Sequence, residues 1–201
     1  TLPDGSNIWL NAGSTIEYPK EFSGKQRKVI LSGEAFFQVK PNQNKPFVVQ
    51  TRQITVTVLG TVFNVSAYPE DAEIKTTLIK GKVEVKSNTN EKTNITLTPE
   101  QQAVFSKKNK KIAVKHVDSH KFSAWKNGKL VFDSQTIDRI ARILERWYNV
   151  KIIVAPELKG KCPLTITLKD ETIEQALDLI RLTCPVTIKT AGNQITITPK
   201  N

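Results

Sequence analysis

The residues in this chain whose types could do chemistry are few and scattered. His116 and His120 are its two histidines. Four residues apart, they would share one helix face, where two imidazoles can hold a metal. Their flanks, AVKHVDSHKF, read instead as strand and loop, so no metal site is expected there. Glu70, Asp71 and Glu73 cluster in YPEDAE. Their spacing matches no calcium loop, and a polar turn accounts for them. The stretch VLGTVFNVSAY, residues 58–68, places one glycine between two apolar β-branched runs and has no lysine, so it is not a phosphate-binding loop. No serine sits in a G-x-S-x-G setting. Catalysis needs a nucleophile or base beside an orienting partner. No such pairing is visible, and neither an enzyme nor a bound cofactor is expected.

Cys162 and Cys184 offer the remaining covalent possibility. Both precede proline, in KCPL and TCPV, and they flank a predicted strand and a predicted helix that run in opposite directions. The strand over 162–168 rises roughly 20 Å at ~3.3 Å per residue. The helix over 172–183 returns roughly 18 Å at ~1.5 Å per residue. Both sulfurs therefore end at one level, within bridging reach. A disulfide there would fit an extracytoplasmic compartment. Two buried free thiols, behaving as small hydrophobes, are the alternative.

The 30 Lys and Arg against 19 Asp and Glu leave a net charge of +11, which raises the question of nucleic acid. The charges are spread out. Residues 1–117 carry 17 positive and 10 negative groups, and residues 118–201 carry 13 and 9. The one dense run, SKKNKK at 106–111, falls between two strand-like runs and reads as a solvated hairpin tip. A nucleic-acid surface would add aromatic platforms or a recognition helix. Neither is evident, and no nucleic-acid partner is expected. The longest apolar runs fall well short of the 18 residues of a membrane span. The chain starts at Thr1 and has no methionine, so it reads as a piece of something longer.

From residue 8 to about 117 short runs rich in Val, Ile, Thr and Phe alternate with turn signals every 8–12 residues. RKVIL and EAFFQV are separated by SGE, and ITVTVL and TVFNVSAY meet near Gly60. Alternation puts Phe63, Val65 and Ala67 on the core face and Val62, Asn64 and Ser66 on the other, so Asn64 is not expected to be buried. The first domain, 1–117, is thus predicted to be all-β, as a sandwich, a jelly roll or a solenoid. Residues 118–128 read as a linker.

Residues 129–201 change character. FDSQTIDRIARILERWYNV places Ile137, Ile140, Ala141, Leu144 and either Trp147 or Tyr148 on one helical stripe. A second helix in DETIEQALDLIRLTC carries Ile173, Ala176, Leu177 and Ile180, with Thr172 and Gln175 spaced as a capping box. The two halves superimpose at a spacing of 36: Phe132 on Leu168, Thr136 on Thr172, Leu144 on Ile180, Ile152 on Ile188. This is a small α+β domain made of two strand–helix–strand units, with NQITIT as a final strand.

LPDGSNIWLNAGSTIEYPKEF, RKVILSGEAFFQV, KPFVV and VTVLGTVFNVSAY, followed by TLIKGKVEV and LTPEQQAVFS, closely resemble the FecR family. Its members regulate extracytoplasmic-function sigma factors. Gly33, Glu34, Leu59, Gly60, Thr61, Phe63, Asn64 and Val65 stand out in these stretches as structural signature residues. The region from KLVFDSQTIDRI onward resembles the C-terminal domain that accompanies FecR regions in Bacteroidetes, and is also similar to the STN domain of secretins and TonB-dependent transporters. The resemblance implies a periplasmic sensor, anchored by one membrane helix. It would contact the N-terminal signalling domain of a TonB-dependent outer-membrane transporter. Through a cytoplasmic segment absent here it would hold an extracytoplasmic-function sigma factor.

Such a protein works through an interface. The terminal strand is expected at a sheet edge, where Gln194, Ile195, Thr196, Ile197 and Thr198 could accept a partner strand. Lys151, with Lys159 and Lys161, would steer an acidic partner. The rival reading is an extracytoplasmic glycan-binding or adhesive β-module. It needs exposed aromatics on a concave face, whereas Trp9, Trp125 and Trp147 are isolated in the sequence. An outer-membrane pore or transporter is a third, disfavoured by the FecR-like pattern ahead of the second domain.

Overall fold

The computed structural model describes residues 1–89 and 94–200. The chain forms two units, Thr1–Lys126 and Asn127–Asn201. Among the described residues the first unit contains β1 (Asn7–Leu10), β2 (Thr15–Glu17), β3 (Arg27–Gln38), β4 (Phe47–Gln50), β5 (Ile54–Val58), β6 (Val62–Ala67), β7 (Glu73–Lys80), β8 (Val83–Ser87), β9 (Asn94–Leu97), β10 (Gln101–Ser106) and β11 (Ile112–His116).

β3 organises this unit. Residues 27, 29, 31 and 33 are buried and 28, 30 and 32 exposed, the period of a strand with one covered face. Up to Ser32 it pairs with β2 and β4; from Gly33 onward it pairs with β1 and β6. One half of the sheet therefore runs β2-β3-β4-β5-β8-β9 and the other β1-β3-β6-β7-β10-β11. This single curled sheet folds over one apolar core. In it Phe37 stacks on Phe63 at 4.9 Å, meets Phe47 edge-on at 6.2 Å, and joins Val29, Val56, Leu78 and Phe105. Of the three expected architectures, a sandwich made from one curled sheet is the one formed.

SGE is therefore not a turn. It lies inside β3, where Gly33 takes φ +104° and lets the strand pass from one half-sheet to the other. Asn64 also departs from expectation. It faces away from the core, yet it is only 2% exposed, because that face is covered too.

A charged pair unforeseen in the sequence closes the core beside β3. Arg27 is 2% exposed, and its Nη1 donates to Asp4 Oδ2 and to the Lys40 carbonyl, both at 2.8 Å. Its Nε donates to the Lys45 carbonyl, and its guanidinium lies 5.5 Å from the centre of the Phe47 ring. The SKKNKK run is the tip of the β10–β11 hairpin, where Phe105 faces Ile112. It is not wholly solvated: Lys107 Nζ donates to the carbonyls of Tyr68 and Pro69, and partial burial lowers its pKa.

The second unit contains β12 (Lys129–Gln135), α1 (Ile137–Tyr148), β13 (Lys151–Val154), β14 (Leu164–Lys169), α2 (Ile173–Thr183), β15 (Val186–Ala191) and β16 (Gln194–Pro199). The first strands of the two repeats, β12 and β14, pair with each other. The second strands, β13 and β15, flank β16 in a separate sheet. Ile137, Ile140, Ala141 and Leu144 of α1 and Ala176, Leu177 and Ile180 of α2 are buried, as their spacing requires. The capping box forms: Thr172 Oγ1 accepts from the Gln175 amide, and Gln175 Oε1 from the Thr172 amide. No helix among the described residues is long and apolar enough to cross a membrane.

Cys162 and Cys184, 22 positions apart in sequence, are joined as a disulfide, with Cα atoms 6.1 Å apart. It ties the approach to β14 to the end of α2. Closing a loop of this length removes about 3 kcal/mol of unfolded-state entropy. Reduction is therefore expected to lower the denaturation midpoint of the second unit, followed by circular dichroism with and without reductant. Coincident curves would show that the bridge contributes nothing.

Two expectations require correction. Residues 118–126 are not an open linker: they form the 3₁₀ turns Ser119–Phe122 and Ala124–Asn127, and all but Asn127 belong to the first unit. Nor is the terminal strand an edge. β16 is central, parallel to β13 on one side and antiparallel to β15 on the other. Its alternating Ile195 and Ile197 need burial, and the centre of a sheet buries them most fully.

Candidate functional site: an open sheet face

With β16 paired on both sides, Gln194, Ile195, Thr196, Ile197 and Thr198 cannot accept a partner strand. The same residues define a surface of another kind. Ile195 and Ile197 are buried under the helices, at 2% and 0% exposure. Gln194, Thr196 and Thr198 project from the opposite face, as period-two alternation dictates. Strand register gives them neighbours. Lys151, Gln194 and Ala191 form one row, Ile153, Thr196 and Lys189 the next, and Thr198 faces Thr187 in the third. Lys151, Ile153, Thr187 and Lys189 are exposed, Ile153 at 41%.

The exposed rows of this face carry hydroxyl and amide groups and two lysines but no carboxylate. Lys151 and Lys189 stand on opposite edge strands, so the positive charge spans its width. A surface of this composition favours a partner of opposite charge. Lys159 and Lys161 belong to the segment between β13 and β14, outside these rows.

The sheet edges are less available than the face. On β13 the outward amide of Ile152 donates to Glu145 Oε1 at 2.7 Å. On β15 the Ile188 carbonyl accepts from Arg181 Nη2 at 3.0 Å. Side chains thus occupy backbone groups that a docking strand would need. Sequence periodicity tells which side of β16 each residue faces but not the strand's place in the sheet, because strand order depends on pairings distant in sequence.

The signature residues of the first unit build scaffold. Val39 N donates to the Thr61 carbonyl and Asn42 N to the Leu59 carbonyl. A Cβ on Gly60 would lie 2.6 Å from Pro41 Cα, so only glycine lets these segments approach. Thr61 Oγ1 donates to the Lys82 carbonyl. Glu34 accepts from Asn64 Nδ2 and Asn11 Nδ2, both at 2.8 Å, tying β6 and the β1–β2 connection to β3. Phe63 and Val65 fill the core. Trp9 is not isolated: it meets Phe36 edge-on at 5.6 Å, with Lys126 Nζ above both rings. Among the described residues no group of three or more His, Cys, Asp and Glu is placed to hold a metal.

A curled β-sandwich followed by a twice-repeated strand–helix–strand unit with one uncovered sheet face describes a two-part scaffold that presents surfaces. The profile of the FecR protein family matches residues 1–84, and that of the FecR C-terminal region matches residues 129–197. Two crystal structures, at 1.65 and 2.50 Å resolution, of a "putative anti-sigma factor" from Parabacteroides distasonis ATCC 8503 superimpose on the whole chain with TM-scores of 0.93 and 0.92. In each case the identity is 34%, and the match covers 93% of that chain. No curated protein matches. The chain belongs to the FecR family.

Proposed function

We propose that this chain is the periplasmic region of a membrane-anchored sigma-factor regulator that acts by protein contact rather than by catalysis. In this reading it relays a signal from the N-terminal signalling domain of a TonB-dependent outer-membrane transporter to an extracytoplasmic-function sigma factor. The observation that carries the reading is the likeness, over the whole chain at 34% identity, to a protein described as an anti-sigma factor. The Cys162–Cys184 bridge supports an oxidising compartment. The uncovered face of β13, β16 and β15 supplies the docking surface, and its two lysines suit an acidic partner.

Calorimetry between this chain and the signalling domain of the transporter encoded beside it tests the proposal. Binding in the micromolar range or tighter is expected. Lys151→Glu combined with Lys189→Glu should weaken it about tenfold or more, mostly through slower association. The far-ultraviolet circular dichroism of the variant should match the parent. No binding by the parent at high micromolar concentration, with both proteins folded, would remove the transporter from the reading. Binding untouched by the double charge reversal would remove this face.

A further inference from the structure

Residues 117–126 cross the half-sheet β1-β3-β6-β7-β10-β11 on the side away from the core. Beneath them lies a row in register: Phe36 beside Asn64, Asn64 beside Thr77, and Thr77 beside Gln102. None of the four belongs to the apolar core, yet their exposures are 4%, 2%, 1% and 0%. The covering segment enters over β7 with its first 3₁₀ turn. It leaves at Lys126, whose Nζ is 4.4 Å from the centre of the Phe36 ring and 5.1 Å from that of Trp9.

We propose that residues 117–126 are a releasable strap, closed over this row in the resting protein and able to lift off while the sheet stays folded. Four observations carry this. First, three of its hydrogen bonds end on one residue. Val117 N donates to the Glu100 carbonyl, and Ser119 gives both its amide and its hydroxyl to the Glu100 carboxylate, at 2.9 and 2.6 Å. These bonds hold the Glu100 carboxyl below its ordinary pKa. Second, Glu100 has φ +64°, a left-handed conformation that a non-glycine residue keeps only while its surroundings enforce it.

Third, the covered surface is incompletely satisfied. Asn64 Oδ1, Gln102 Oε1 and Trp125 Nε1 are buried without a hydrogen-bond partner among the described residues. Each is a cost of the closed state that water relieves on opening. Fourth, the strap is made of 3₁₀ turns, whose hydrogen bonds are poorer than those of an α-helix. The sheet below rests instead on a large apolar core that includes Phe37, Phe63, Leu78 and Phe105. Opening would uncover Phe36 beside the already exposed Trp9, followed by a ladder of amides and hydroxyls. The strap ends where the second unit begins, at Asn127.

Native-state hydrogen exchange on the full chain, over a series of low denaturant concentrations, reads the opening directly. The amides of Val117, Ser119 and Ser123 should exchange by a local opening, with little denaturant dependence, and at least about tenfold faster than those of Phe63 and Leu78 in β6 and β7. Ser119→Ala removes one bond to a charged acceptor and should speed exchange in 117–126 by about tenfold or more, leaving β6 and β7 unchanged. Strap amides that exchange only with global unfolding in the parent protein would overturn the proposal. Equal acceleration across strap and sheet in the variant would do the same.

Discussion

Replacing Asp4 with alanine is expected to cost the first unit about 3–5 kcal/mol of stability, read as a shift in its denaturation midpoint. Asp4 is the only carboxylate that the Arg27 guanidinium pairs with among the described residues. The other bonds of this 2%-exposed cation go to the carbonyls of Lys40 and Lys45 and to the face of Phe47. Without Asp4 a positive charge remains buried among neutral groups, and Ser6 loses the acceptor for its amide and hydroxyl. Adding Arg27→Met to Asp4→Ala should recover much of the loss, because removing both charges also removes the desolvation penalty. A loss below about 1 kcal/mol in the single variant would show that the pair is not the closure of the core.

The same pair sets a pH dependence. Burial alone would raise the Asp4 carboxyl; hydrogen bonds from Ser6 and Arg27, with the Arg27 charge, more than offset it and leave the carboxyl below its ordinary value of 3.8. A carboxyl depressed in the folded state stabilises the fold above its unfolded-state value. That contribution disappears as the pH falls through the lower, folded value. The stability gap between the parent and Asp4→Ala should therefore be full above about pH 4 and narrow below it.

Gly33→Ala is expected to be comparably damaging, at about 2–6 kcal/mol. A Cβ at residue 33 would lie 2.4 Å from Ser14 Oγ and 2.7 Å from Ser14 Cα, so backbone as well as side chain must move. Overpacking of this kind costs about 1–3 kcal/mol. Holding an alanine at φ +104° adds about 1–3 kcal/mol. Relaxation cannot be local, because Ser14 Oγ also accepts from the Glu34 amide, and Glu34 binds Asn11 and Asn64. Adding Ser14→Gly should recover part of the stability lost to crowding and none of that lost to the dihedral. A single variant as stable as the parent would mean that β3 has another way to cross between the half-sheets.

Much of this architecture is written in local pattern. Val29 and Leu31, Val56 and Val58, and Val83 and Val85 alternate with exposed or half-exposed neighbours as half-buried strands do. Ile137, Ile140, Ala141 and Leu144 mark the buried stripe of α1 as 3.6-residue spacing requires. The opposed directions of the strand and helix between Cys162 and Cys184 made their pairing arguable before any coordinates. A further signal lies in β3. EAFFQV sets two phenylalanines side by side, and consecutive buried aromatics on one strand mean that both faces of the sheet are covered. Phe36 thus marks a second covered face, the one that also buries Asn64, Thr77 and Gln102.

What the chain alone determined are properties that repeat within a few residues: which segments are strand or helix, which side of each is apolar, and where the repeat of the second unit begins. Only the tertiary structure decided which strand lies beside which. β16 is central because β13, ending about 40 residues before it, and β15, ending about 3 before it, both pair with it. Arg27 is buried because Asp4 comes to it across 23 residues of chain. Periodicity reports the side on which a residue projects, whereas burial depends on what arrives there from elsewhere in the chain. That arrival turned a supposed edge strand into the middle of a sheet, and much of a supposed linker into 3₁₀ turns of the first unit.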